Sequence, residues 1–244
     1  MQLTIVLLVL LLPLFFTLLT ILTGMWEKRT LWTFVPEAEA PPGLIAPPAE
    51  YLIRANNVAI SLGLGYLGTF GHGGGTLYRV RYHLYILPRF EAIIVVGEGS
   101  IARLPIAATT LYTRLSDGTL VATTDNMAAV ETDLTKTTLE EIWTGADFET
   151  LVRRHLERLA VIAPQVAPFS YTDPLADFKE WRAQRIEALI RQGYASFLDD
   201  RRLQWRYTPL GATLFAIRGH SRKPRPVSAM KPIRTGIELP DPRA

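Results

Sequence analysis

Apolar positions are spaced unevenly along the chain, and the spacing divides it into an uncharged run, a proline-rich stretch, a patterned region and a basic end. From Leu3 to Thr23 there are twenty-one residues without a charge, with Thr4, Thr17, Thr20 and Thr23 as the only hydroxyls. At 1.5 Å rise such a run makes about 31 Å of helix, enough for a hydrocarbon core of roughly 30 Å. Pro13 lies mid-run, where a membrane span tolerates it. Met1-Gln2 offers no cationic start and Leu22-Thr23-Gly24-Met25 is a poor cleavage site, so a retained span is expected in place of a signal peptide. Residues 1–25 therefore read as a single transmembrane anchor, with Trp26, Lys28, Arg29 and Trp32 as membrane-interface anchors. Lys28 and Arg29 favour a cytoplasmic position for the globular domain.

Residues 26–50 carry Pro36, Pro41, Pro42, Pro47 and Pro48 and read as an extended, semi-rigid juxtamembrane linker. Residues 51–218 have the pattern of a packed domain. Val58, Ile60, Leu62, Leu64 and Tyr66 alternate with small residues, and Tyr78, Val80, Tyr82, Leu84 and Ile86 alternate with Arg79, Arg81 and His83. Both have period two, and Gly71-His72-Gly73-Gly74-Gly75 between them predicts a β-hairpin. Ala92 to Val96 reads as a buried strand, and Asp117-Gly118 as a hairpin turn between Leu111–Leu115 and Thr119–Thr123.

Thr138-Leu139-Glu140-Glu141 spells a capping box for a short helix. Phe148, Leu151, Val152, Leu159 and Ile162 form one helical stripe; Asp173-Pro174 opens a second helix that Gly193 ends. Leu203–Thr208 and Ala212–Ile217 read as a last hairpin around Pro209-Leu210-Gly211. The predicted fold class is α+β: an N-terminal transmembrane helix, then a mainly antiparallel sheet packed with two to three helices.

Composition alters this picture at two points. The 244 residues contain no Cys, which removes disulfides, thiol nucleophiles and Cys-ligated metals. The net charge of +3 is local: residues 219–244 hold six bases and two acids, while the rest holds twenty bases and twenty-one acids. That basic tail is expected to be disordered and able to contact anionic lipid; nucleic acid is not an expected partner.

Motif spellings yield little chemistry. Gly63-Leu64-Gly65-Tyr66-Leu67-Gly68 matches G-x-G-x-x-G, but the glycines after it cannot propagate the helix that a dinucleotide site requires. His72-Gly73-Gly74-Gly75 spells an esterase oxyanion loop without any G-x-S-x-G elbow to serve. The four histidines, His72, His83, His155 and His220, have no metal-ligand spacing, and no metal or cofactor is expected. His155 lies within its helix's apolar stripe and reads as a partly buried residue with one hydrogen-bond partner.

Arg79, Arg81 and His83 remain. At alternate positions of one strand they point the same way, some 6–7 Å apart, and could bind an anion or a partner's acidic surface. The expected role is binding or scaffolding by a single-pass membrane protein whose partners are another protein at the membrane and the bilayer itself. The alternative is a membrane-tethered enzyme acting on an anionic substrate at the Arg79/Arg81/His83 face.

Overall fold

The computed structural model describes residues 2–30, 34–40, 43, 45–72, 78–87, 91–101, 104–126, 133–162, 168 and 170–233. In chain order its first elements are α1 (Gln2–Trp26), β1 (Arg29–Thr30), β2 (Phe34–Pro36), α2 (Glu50–Ser61), β3 (Gly65–His72) and β4 (Tyr78–Leu87). Next come β5 (Ala92–Ile101), β6 (Leu104–Arg114), β7 (Leu120–Thr124), β8 (Thr138–Thr144), α3 (Phe148–Ile162) and α4 (Pro174–Arg191). The last are β9 (Ala195–Phe197), β10 (Gln204–Tyr207), α5 (Pro209–Ser221) and β11 (Arg225–Pro226).

Two compact units share these elements: a larger one of Thr33–Glu131, Lys136–Glu180 and Lys223–Ala244, and a smaller one of Met1–Trp32, Thr132–Thr135 and Trp181–Arg222. The larger unit holds an eight-stranded sheet in the order β11-β8-β7-β6-β5-β4-β3-β2. Pairing is antiparallel from β2 to β7 and parallel for β7–β8 and β8–β11. The central run Ala92 to Val96 is apolar at every position because both faces are covered; Ile93 and Ile94 are both fully buried. Against one face, Leu52, Ala55 and Ala59 of α2 and Leu151 and Leu156 of α3 pack with Tyr85, Ile94 and Leu111. A hairpin turn forms at Asp117-Gly118, but not as the type I′ turn that this dipeptide favours, since only Gly118 has positive φ, at 86°; Asp117 Oδ1 accepts from the Thr119 amide at 2.8 Å.

The smaller unit pairs β1, β10 and β9 as an antiparallel sheet around a core of Trp205, Tyr207, Leu189 and Ala212. Here the expected transmembrane anchor is overturned: among the described residues no helix is long and apolar enough to cross a membrane. The end of α1 is committed to protein. Ile21 and Met25 pack on the smaller unit's core, and a Cβ at Gly24 would stand 3.5 Å from the Ala212 Cβ of α5. The hydroxyls Thr17 and Thr20 share this half-covered side, whereas Leu14, Phe15, Leu18 and Leu22 are exposed. The single-pass topology and the membrane localisation expected from residues 1–25 are corrected accordingly.

The interface-anchor roles lose their basis with the span. Trp26 is 80% exposed at the end of α1, and Lys28 is exposed. Arg29 pairs with Glu27 at 2.9 Å and lies over the rings of Trp205, Tyr207 and Phe215. Trp32 lies outside the described residues.

Local differences have local causes. The alternation at Val58–Leu62 belongs to helix α2 and its C-cap Leu62; the helix buries Leu52, Ala55 and Ala59, while Ile60 is 68% exposed. Inward-facing alanines hid the helical period. Thr138–Thr144 is strand β8, because parallel pairing with β7 outweighs its capping-box spelling. Within the stretch read as a linker, Phe34 is buried edge-on against Tyr82 at 4.8 Å between ring centres. The segment Ala212–Ile217 belongs to α5, which starts at Pro209 after the N-cap Thr208, whose side chain accepts from the Gly211 amide.

That start is tightly built. A Cβ at Gly211 would sit 1.8 Å from the Tyr194 carbonyl oxygen. Gly→Ala inside a helix ordinarily gains up to about 1 kcal/mol. Gly211→Ala is expected to invert that sign and cost about 1–3 kcal/mol as the backbone yields. A urea titration following tryptophan emission measures it, and a neutral or stabilising result contradicts the close approach.

Candidate binding site on strand β4

The three residues singled out on β4 follow one face of the strand but have different fates. Arg79 is exposed. Arg81 bonds to Glu37 at 2.9 Å and donates from Nε to the Ala46 carbonyl at 2.7 Å, tying the Glu37–Glu39 turn and the following segment to the sheet. His83 lies between two tyrosines, its ring 5.9 Å from Tyr66 of β3 and 6.3 Å from Tyr85, both edge-on. They do not form a strip of three cations. Glu37 neutralises Arg81, while burial and the Arg81 charge push the His83 imidazole below its ordinary range.

Hydrogen bonding favours one His83 tautomer. Tyr85 donates its single hydroxyl proton to Asn56 Oδ1 of α2 at 2.9 Å. At 3.3 Å from His83 Nδ1 the same oxygen therefore accepts, which puts the imidazole proton on Nδ1 and leaves Nε2 as an acceptor. Tyr66, 56% exposed, bonds through its hydroxyl to Thr69 Oγ1, which fixes the ring over this pair. The result is an ordered patch of one exposed aromatic ring and one neutral imidazole, with Arg79 about 13 Å from His83 along the strand. Position 83 was legible from the alternation of β4. Tyr66 and Asn56 were not, since their placement depends on strand pairing and on α2 being a helix.

Two polar clusters on the same sheet face had only weak sequence signals. Tyr51 of α2 donates to Asp125 Oδ2 at 2.9 Å and bonds Thr109 Oγ1 at 2.7 Å, while Asp125 Oδ1 accepts from the Thr109 amide. Burial raises the Asp125 carboxyl despite these bonds. Glu98 accepts from the Leu52 amide at 3.1 Å and so caps α2 from β5. This cluster docks a helix end.

The second cluster lies under α3. His155 is fully buried, with Nε2 3.0 Å from Thr113 Oγ1 and Nδ1 2.9 Å from Thr123 Oγ1, two hydroxyl partners where one was expected. Arg158 donates to the carbonyls of Ala122 and Leu139 and to Thr123 Oγ1, bridging β7 and β8. Glu141 pairs with Arg154 at 2.7 Å and with Arg158 at 3.6 Å. Burial alone would raise the Glu141 carboxyl, but the Arg154 hydrogen bonds and the Arg158 charge hold it below the usual range. Its buried polar atoms are committed to one another, so this is a structural network.

Among the described residues no group of three or more His, Asp or Glu is placed to hold an ion. Comparison of the chain with protein-family models, curated proteins and solved structures returns no match.

Proposed function

We propose that the larger unit is a protein-binding module whose contact face centres on Tyr66 and His83, with Arg79 at its rim. The observation that carries this reading is the fixed, 56% exposed Tyr66 ring over a neutral imidazole with a defined acceptor nitrogen. An exposed aromatic held in one geometry loses little entropy on association, and Tyr and Arg are common anchors of protein interfaces. The fitting partner is a protein surface with an N–H or O–H donor for His83 Nε2 and a carboxylate for Arg79. An enzyme acting on an anionic substrate is the weaker reading, since Arg81 is spent on Glu37 and His83 carries no charge at neutral pH.

Companions captured with the full chain, identified by mass and purified, provide the test. Tyr66→Ala is expected to weaken binding of a genuine companion about tenfold, consistent with truncation of an interface anchor. Binding should hold from neutral pH to below about 6.5, the ordinary imidazole value, and weaken only once His83 protonates in more acidic solution. Equal affinity of wild type and Tyr66→Ala for every companion overturns the proposal.

A further inference from the structure

The segment from Lys223 to Ile233 returns to the larger unit after the smaller one, and its contacts are those of a ligand in a groove. Arg225 and Pro226 pair in parallel with Trp143 and Thr144 of β8, adding a strand to the sheet edge. Arg154 Nη1 donates to the Lys231 carbonyl at 3.0 Å, and Glu157 Oε2 accepts from the Ile233 amide at 3.2 Å. Those four contacts grip main chain. Side chains are read at three positions: Val227 and Met230 pack on the core, and the Arg225 guanidinium stands 5.7 Å from the Trp143 ring centre.

The receiving groove is braced by bonds that do not involve the segment. Arg154 is held by Glu141 at 2.7 Å and Glu157 at 3.2 Å, and Trp143 Nε1 donates to Glu141 Oε2 at 2.8 Å. By contrast, between Lys223 and Ile233 every residue except Val227, Met230 and Ile233 is exposed. A strap with so little buried surface opens at lower free energy than the sheet beneath it.

We propose that this groove is a peptide-recognition site, filled here by the chain's own segment, which accepts from a partner protein an extended basic stretch of the pattern Arg-Pro-Val-x-x-Met. The segment in place acts as an intramolecular competitor at high effective concentration. An identical strap from a second copy gains nothing over it, whereas a partner that carries the same pattern and adds contacts beyond it displaces it. The groove shares no residue with the Tyr66/His83 face, so the two readings stand or fall separately.

The probe is a fluorescein-labelled synthetic peptide with the sequence of Lys223–Ile233, titrated by anisotropy against the full chain. The Val227→Asp, Met230→Asp double variant loosens the strap and leaves the groove intact. It is expected to bind the peptide at least tenfold more tightly than the wild-type chain does, while a peptide carrying the same two changes does not bind. Absence of binding, equal binding to both chains, or loss of cooperative unfolding in the variant overturns the proposal. In the wild-type chain, hydrogen exchange provides an independent reading. The Met230 and Ile233 amides are expected to exchange at least ten times faster than that of Ile94, and equal protection overturns the proposal.

Discussion

Arg158→Met is expected to destabilise the larger unit by about 3–5 kcal/mol, the cost of removing one partner from a buried ion pair. The guanidinium bridges the parallel β7–β8 pair through the Ala122 and Leu139 carbonyls and also donates to Thr123. Methionine matches much of its volume, so the loss is polar: three acceptors surrender their donor beneath α3, and Glu141 keeps only Arg154. Native-state hydrogen exchange at β5–β7 amides measures the free energy. Arg153→Met is the control one residue from Arg154. Arg153 is 66% exposed in an i,i+4 pair with Glu149, and its loss should stay within about 0.5 kcal/mol. A loss below about 1 kcal/mol for Arg158→Met would show that the bridge contributes little.

His155 should make the stability of the larger unit depend on acid. Burial, assisted by the Arg158 charge, lowers its pKa to about 3, whereas an unfolded chain keeps a value of about 6.5. Between those values the unfolded state holds one more proton than the fold, so stability rises with pH and falls on acidification. The slope is about 1.4 kcal/mol per pH unit, or about 2 kcal/mol lost between pH 6.5 and 5. Asp125 works in the opposite sense: its raised pKa favours the fold as pH drops. Comparison with His155→Gln isolates the imidazole, since Gln does not titrate and Asp125 is common to both chains. Urea titrations at pH 5, 6 and 7 should show a shallower pH dependence in the variant than in wild type, the difference approaching about 1.4 kcal/mol per pH unit below pH 6.5, while His83 and Asp125 titrate alike in both chains. Parallel lines would contradict a neutral, buried His155.

Much of the larger unit was legible because its pattern is local. Helix α3 follows from the stripe of Phe148, Leu151, Val152 and Leu159, and the β6–β7 turn from Asp117-Gly118. The candidate site was half legible. Alternation along β4 puts Arg79, Arg81 and His83 on one face, but the partners they meet there, Glu37 for Arg81 and Tyr66 and Tyr85 for His83, come from tertiary packing. Errors arose where small or uncharged residues carried ambiguous signals. Alanines turn inward in α2, a threonine-rich spelling is overruled by strand pairing in β8, and Thr208-Pro209 is a helix start that resembles a turn.

Strand and helix periodicity, the hairpin turn, the absence of cysteine and the basic bias of the last residues are properties of the sequence by itself, because they depend on neighbours within a few positions. Which apolar stretch is committed to which surface was decided by tertiary packing. The run Leu3–Thr23 is greasy enough for a bilayer by composition, yet Ile21, Gly24 and Met25 are turned to α5 and the core around Tyr207. The basic tail has too few apolar residues to order itself, yet Val227 and Met230 pack on a core that includes Trp143 of β8 and Leu151 of α3. Burial is a property of pairs of surfaces, and one strand of sequence records only half of each pair.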